Sequence, residues 1–304
     1  MRKQAWLYLN LGILSILFLG WMGNSAEAAT AHIAQPQNGS CTNESTIVLR
    51  VEIDSGKEDV KIVKFWLDQS APIEQGNNPS WGREPGPWDF SRDVVRPDEP
   101  VWWYYETEWN VSGMSDHNYS LTYWLIDRNG KTIYFGETVA FGSDRTIPGG
   151  SITAPSNGQT ITGDKIHITA SASDNLCGVD WVKFLVHTPN ERKGSKNSQW
   201  SGSDGDFWFS YTDNSSPWSP PDWDMTGIPD GDVTITIWVG DKAGNQFEQP
   251  TNERVTVHVK RETPPSPPSN LIALANGTTV NLTWKDNSNN EQGFKIERKT
   301  GASG

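Results

Sequence analysis

The chain contains one unit twice, and that duplication limits what it can fold into more than any other feature. Pro36-Gln37-Asn38-Gly39 is matched by Pro155-Ser156-Asn157-Gly158, and Val63-Lys64-Phe65 by Val182-Lys183-Phe184, both 119 positions on. Farther along, Trp109-Asn110 and Gly113 are matched by Trp223-Asp224 and Gly227. Trp124, Asp127 and Gly130 are matched by Trp238, Asp241 and Gly244, now 114 positions on. The copies therefore differ by five residues somewhere in their middle segments. Matches in a fixed order mark one structural unit present in tandem, and 304 residues leave room for two such units and a remainder.

Each copy alternates apolar and polar residues with period two, the spacing of a strand with one buried face. In the first copy Ile47, Leu49, Val51 and Ile53 point one way while Val48, Arg50 and Glu52 point the other. Val63, Phe65 and Leu67 continue the pattern, as do Tyr119, Leu121, Tyr123 and Leu125. The second copy supplies Ile166, Ile168, Ala170 and Ala172, then Val182, Phe184 and Val186, then Val233, Ile235, Ile237 and Val239, and closes with Val255, Val257 and Val259. No window carries the 3.6-residue spacing of a long helix. Asp127-Arg128-Asn129-Gly130 and Asp241-Lys242-Ala243-Gly244-Asn245 have the chemistry of turns that follow strands. Strands with one apolar face must bury it against a second sheet. The fold class is all-β, with each copy a β-sandwich.

The run from Ser151 through Asn245 resembles a bacterial immunoglobulin-like module. The resemblance rests on Ala154-Pro155-Ser156-Asn157-Gly158, on Ala172-Ser173-Asp174-Asn175 ahead of Gly178-Val179, and on Asp241-Lys242-Ala243-Gly244-Asn245. The first copy is more divergent, with Ser55-Gly56-Lys57-Glu58-Asp59 in place of the Asp-Asn turn. The resemblance implies tandem immunoglobulin-like sandwiches over 30–143 and 147–261, and it leaves activity open. A proline-rich connector over 262–269 follows, stiff because each proline fixes φ and withholds a donor. Beyond it, Asn270-Leu271-Ile272-Ala273, Val280-Asn281-Leu282-Thr283-Trp284 and Gly293-Phe294-Lys295-Ile296-Glu297-Arg298 resemble the opening strands of a fibronectin type III domain, and Trp284-Lys285-Asp286-Asn287-Ser288-Asn289-Asn290-Glu291 is a signature of bacterial members. The family pattern runs on for about as many residues again. Residues 270–304 are therefore expected to be a truncated domain in which Leu282, Trp284, Phe294 and Ile296 lack an opposing sheet.

Residues 1–28 have the three parts of a secretory leader: Arg2 and Lys3, an apolar run from Ala5 to Gly20 broken by Asn10 and Ser15, and the small-x-small site Ala26-Glu27-Ala28. The run falls short of the roughly 20 apolar residues a membrane span needs, and no second span candidate follows. The chain is expected to be secreted or to lie at the cell surface. Its net charge of −12 argues against nucleic acid, whose phosphates are bound by clustered cations. Its expected partner is an extracellular glycan or a surface protein.

Nothing in the sequence assembles a catalytic set. The five histidines are scattered, and no Gly-x-Ser-x-Gly elbow occurs. We therefore expect no enzyme activity within these residues and no obligatory cofactor. A non-catalytic spacer, adhesion or ligand-binding segment is the leading reading, and the accessory region of a secreted polymer-degrading enzyme, with its catalytic domain beyond residue 304, is the alternative. Cys41 and Cys177 occupy non-equivalent positions in the two copies, and a bridge needs Cα atoms within about 7 Å, so free thiols are expected. Asp174, Asn175, Asp241 and Asn245 offer hard oxygens of the kind Ca²⁺ takes, although turn formation alone would account for them. Of sixteen tryptophans, Trp66, Trp109, Trp124, Trp181, Trp223, Trp238 and Trp284 read as packing or sheet-face residues. Trp81, Trp88, Trp200, Trp208 and Trp218 lie in the Gly/Pro/Ser-rich middle segments. There they either stack on sugar rings, which makes them the candidate ligand-binding residues, or fold back and cap their own sandwich.

Overall fold

The computed structural model describes residues 28–69, 74–84, 87–97, 103–188, 199–200, 202–204, 207–261, 263–298 and 301, with backbone alone at 202–204, 207 and 208. The expected leader lies outside the described residues except for its last position. The chain divides into two compact units, one holding 44–143 with the residues up to Ser40, the other holding 144–304 together with Cys41–Asn43. Strands dominate both, and the helices among the described residues are two three-residue 3-10 turns.

In the first unit, Thr30–Gln35, Thr46–Ser55 and Tyr104–Asn110 form one antiparallel sheet with the central segment in the middle. Ser40–Thr42, Thr132–Ser143, His117–Asp127, Val60–Gln69, Phe90–Val95 and Gly82–Arg83 are hydrogen-bonded in that order in the other. The period-two residues behave as their spacing requires: Leu49, Val51, Val63, Phe65, Leu67, Leu121, Tyr123 and Leu125 are sealed in one core between the sheets.

The second unit builds the same scheme from the second copy. Thr160–Ile161, Val255–Val259, Gly231–Asp241, Val179–His187, Phe207–Asp213 and Gly202–Asp204 run in that order through its large sheet, with Gln246–Glu248 also on Gly231–Asp241. Gly149–Ala154 pairs with Thr169–Ser173, and Lys165–Ile166 with Trp223–Asp224. Ile166, Ile168, Val182, Phe184, Val186, Val233, Ile235, Ile237 and Val239 are buried in its core. The Pro-x-Asn-Gly loops do identical work in both copies. Asn38 Oδ1 accepts the Ala140 N–H and Asn157 Oδ1 the Thr256 N–H, each at 2.9 Å. Gly39 and Gly158, both at φ 77°, donate their N–H groups to the carbonyls of the same two residues, Ala140 and Thr256. Glycine reaches that left-handed conformation without the Cβ penalty other residues carry.

The equivalence also runs through the middle segments. Trp81 and Trp200 are 119 positions apart, as are Phe90 and Phe209, so the five-residue difference falls after the strand Phe90–Val95. Trp81 is 2% exposed, stands edge-on to Trp109 at 5.1 Å and donates its Nε1–H to the Glu108 carbonyl. Trp200 is 2% exposed and donates its Nε1–H to the Pro221 carbonyl. Phe90 packs on Trp109 at 5.1 Å and Phe209 on Trp223 at 5.3 Å. Trp109 and Trp223 are fully buried, and in both copies their indole N–H lacks a hydrogen-bond partner. The fold tolerates that orphaned donor, a penalty of about 1–3 kcal/mol, in exchange for the apolar area of the ring.

After the second sandwich, Ser269–Asn276 and Thr279–Lys285 form an antiparallel hairpin. Its apolar side is open: Leu271, Ile272, Leu274, Val280 and Ile296 are exposed, and Trp284 meets Phe294 at 5.1 Å. Among the described residues no helix is long and apolar enough to cross a membrane.

Removing either wedge should break its sandwich. Trp81→Ala and Trp200→Ala are each expected to cost about 3–5 kcal/mol in urea unfolding; a loss below about 1 kcal/mol would show the ring to be a surface residue.

Candidate metal centre

Of the two arrangements open to the middle-segment tryptophans, Trp81, Trp200 and Trp218 take the capping one. Trp81, Trp200 and Trp218 are buried members of the cores, so their ring faces are covered by protein and closed to a sugar. The physical reason is area, since an indole among Gly and Pro gains more from folding onto its own sandwich than from waiting in water. Trp88 is half-buried, and the side chain of Trp208 lies outside the described residues.

The acidic positions behave differently. Asp241 ends the strand Gly231–Asp241 and organises the turn that follows. Its Oδ1 accepts the N–H groups of Ala243 at 2.9 Å and Asn245 at 2.8 Å, and its Oδ2 accepts Nδ2 of Asn245 at 2.8 Å. Asp174 follows the strand Thr169–Ser173 and folds its loop through Oδ2, which accepts the N–H groups of Leu176 at 3.1 Å and Gly178 at 2.8 Å. Asp144 joins them. Its Oδ1 accepts the Thr146 N–H at 3.1 Å, its Oδ2 the Cys177 N–H at 3.0 Å, and its carbonyl the Asn245 Nδ2 at 2.9 Å. One carboxylate oxygen from each of the three lies within 4.8 Å of the other two. Asp144 is wholly buried and Asp241 is 3% exposed. Asp174 is half-buried, but its Oδ1 has under 1 Å² of accessible surface and no hydrogen-bond partner.

Of the four residues singled out by sequence, the fold thus brings Asp174 and Asp241 together. Asn175 is exposed. Asn245 serves as a clamp, holding Asp144 and Asp241 with its amide N–H groups while its Oδ1 accepts from Asn43 at 3.3 Å. Asp144 escaped the sequence reading because it lies in the gap left between the two expected modules, 30 and 97 positions from its partners. The first copy provides a comparison. Asp127 builds the same turn, accepting the N–H groups of Asn129 and Lys131, and these hydrogen bonds, led by that of Lys131, hold its carboxyl below the ordinary range. Ser55, however, stands where the second copy has Asp174. Turn chemistry therefore explains each aspartate singly; it does not explain the convergence.

Beside this cluster, Cys41 and Cys177 are joined in a disulfide with a Cα–Cα distance of 6.2 Å, which corrects the expectation of free thiols. That expectation placed Cys41 in the first sandwich. Cys41 does lie on a strand of that sandwich's sheet, Ser40–Thr42, but the segment Cys41–Asn43 groups with the second unit, within bridging distance of the loop carrying Asp174 and Cys177.

Residues 148–237 match the family model described as a bacterial Ig domain. Both units are β-sandwiches, each with its own core. The match itself covers less than a third of the chain and lies within the second unit. No curated protein matches the sequence. Among solved structures, a marsupial T cell receptor is similar at TM-score 0.41 and 11% identity, over 84% of this chain and 81% of that one. CBD12 from CALX1.2 is similar at TM-score 0.28 and 7% identity, over 76% and 99%. The calcium binding domain CBD12 of CALX1.1 is similar at 0.29 and 8%, over 76% and 100%.

The bridge closes a separation of 136 residues. Replacing both cysteines by serine is expected to cost about 2–5 kcal/mol, read as a lower urea midpoint, and the unreduced, denatured wild type should yield no titratable thiol. Two thiols per chain would remove the bridge.

Proposed function

We propose that the chain is an exported, non-catalytic array of immunoglobulin-like modules, serving outside the cell or at its surface as a spacer and adhesive segment. The Cys41–Cys177 bond is the observation that carries this reading. Disulfides persist in oxidising compartments outside the reducing cytosol, and the leader-like pattern of residues 1–28 agrees with export. Each sandwich buries its own core, as a spacer assembled from modules requires. The hairpin over Ser269–Lys285 fits the opening of a fibronectin type III domain, with Trp284 and Phe294 as its first aromatic contact.

An adhesive role needs apolar surface that the cores have not consumed. The first unit has it on the outer side of the sheet that carries Val60–Gln69 and His117–Asp127. Trp66 packs on Trp124 at 4.6 Å, Trp124 on Phe135 at 5.0 Å, and Phe135 is 64% exposed. Lys64 lies 4.4 Å over the Trp66 ring, a cation–π contact that occupies one indole and leaves Phe135 open. Flat apolar edges of this kind suit the C–H faces of a glycan or the rim of a partner protein.

Expression of the full reading frame in a bacterial host should deliver a chain beginning at or next to Ala29, outside the cytosol and without alkylatable thiols. On insoluble polysaccharides or surface-protein preparations, Phe135→Ala should weaken retention several-fold. Retention of the unprocessed chain in the cytosol, with both thiols reactive, would sink the proposal.

A further inference from the structure

We propose that Asp144, Asp174 and Asp241 of the second unit form a Ca²⁺ site. This inference stands on the geometry of that unit alone and does not depend on the adhesive reading.

Three carboxylates with oxygens inside 4.8 Å of one another repel, and burial weakens the screening that would otherwise make this cheap. Asp144 and Asp241 are more than nine-tenths buried. The donors that reach the three include the N–H groups of Thr146, Leu176, Cys177, Gly178, Ala243 and Asn245. These N–H groups carry no formal charge and serve to orient the oxygens they reach. The enclosed Asp174 Oδ1 is the second, separate sign. Its sister oxygen is committed to Leu176 and Gly178, while Oδ1 has neither water-accessible surface nor a hydrogen-bond partner. A buried anionic oxygen without a partner is costly, and a cation is the partner that resolves it.

The donor set selects the ion. All three ligands are hard carboxylate oxygens, which favour Ca²⁺ or Mg²⁺ over thiolate- and imidazole-seeking metals. A Ca²⁺ shell at about 2.3–2.6 Å is roughly 4.6–5.2 Å across and accommodates the observed spread, whereas Mg²⁺ demands about 2.0–2.1 Å and keeps most of its waters. Asn245 acts as a positioning residue, because its amide ties the Asp144 carbonyl to the Asp241 carboxylate. The first copy, with Ser55 at the position of Asp174, forms the equivalent Asp127 turn and is not expected to bind.

The test uses the full chain, stripped with EDTA and desalted, with its disulfide intact. Equilibrium dialysis against CaCl₂ should find about one high-occupancy ion per chain at millimolar concentration, the range of extracellular modules. Thermal melting in 5 mM CaCl₂ should raise the midpoint by about 3–10 °C over the metal-free chain, with a smaller rise in MgCl₂. Asp174→Asn should keep the β circular dichroism spectrum and lose both the bound ion and the shift. Asp144→Asn should do the same by a second route, and Asp127→Asn should retain both. Absence of bound Ca²⁺ and of any shift in the wild type overturns the site, as does an undiminished shift in the folded Asp174→Asn or Asp144→Asn variant. An equal response to Mg²⁺ overturns the choice of ion.

Discussion

An indole ring held between two β-sheets is the contact on which both modules depend. Trp109 in the first unit and Trp223 in the second are fully enclosed, each against a phenylalanine from a strand of another sheet, Phe90 or Phe209. The middle segments supply a further tryptophan, Trp81 or Trp200, as a wedge whose N–H is anchored on a backbone carbonyl. Aromatic packing of this kind supplies much of the burial that offsets the entropy of ordering long Gly- and Pro-rich connections. Because the wedge recurs with its anchoring hydrogen bond, it belongs to the plan of the module and is not a local ornament.

That plan has been put to two uses. In the first copy the turn after the Gly231–Asp241 equivalent, His117–Asp127, is closed by an aspartate whose carboxylate accepts the N–H groups of Asn129 and Lys131 within its own turn. In the second copy the same turn is set against two further carboxylates and a disulfide. Cys177 belongs to both arrangements: its sulfur bridges to Cys41 and its N–H rests on Asp144. The disulfide ties this loop to Cys41 and the Cys177 N–H ties it to Asp144, so both attachments fall at the end of the sandwich where 241–245 turns.

Much of the fold is legible from the residues alone. Strand faces follow from alternation, since Leu49, Val51, Phe65 and Leu125 fall on the core side as their period requires. The tandem arrangement follows from fixed spacings. Tryptophans in the middle segments were harder to place, because a ring among Gly, Pro and Ser has no periodic neighbours to reveal its face. The signal was nonetheless present, in that Trp81 and Trp200 keep the 119-residue spacing of the core strands. A position tied to the core by register is more simply core itself. Asp144 carried no comparable signal, having neither a repeat partner among the described residues nor an alternating neighbourhood.

The sequence by itself determined two all-β bodies and the turns that close their strands, because period-two burial, Asn-Gly loops and Asp-led turns act over a few residues. It also set the acidic charge and the leader-like beginning. Only the tertiary structure decided that Cys41 meets Cys177 and that Asp144, Asp174 and Asp241 share a buried corner. Those contacts join positions up to 136 residues apart, and such proximity is a product of how strands stack and cross over, which no local pattern encodes.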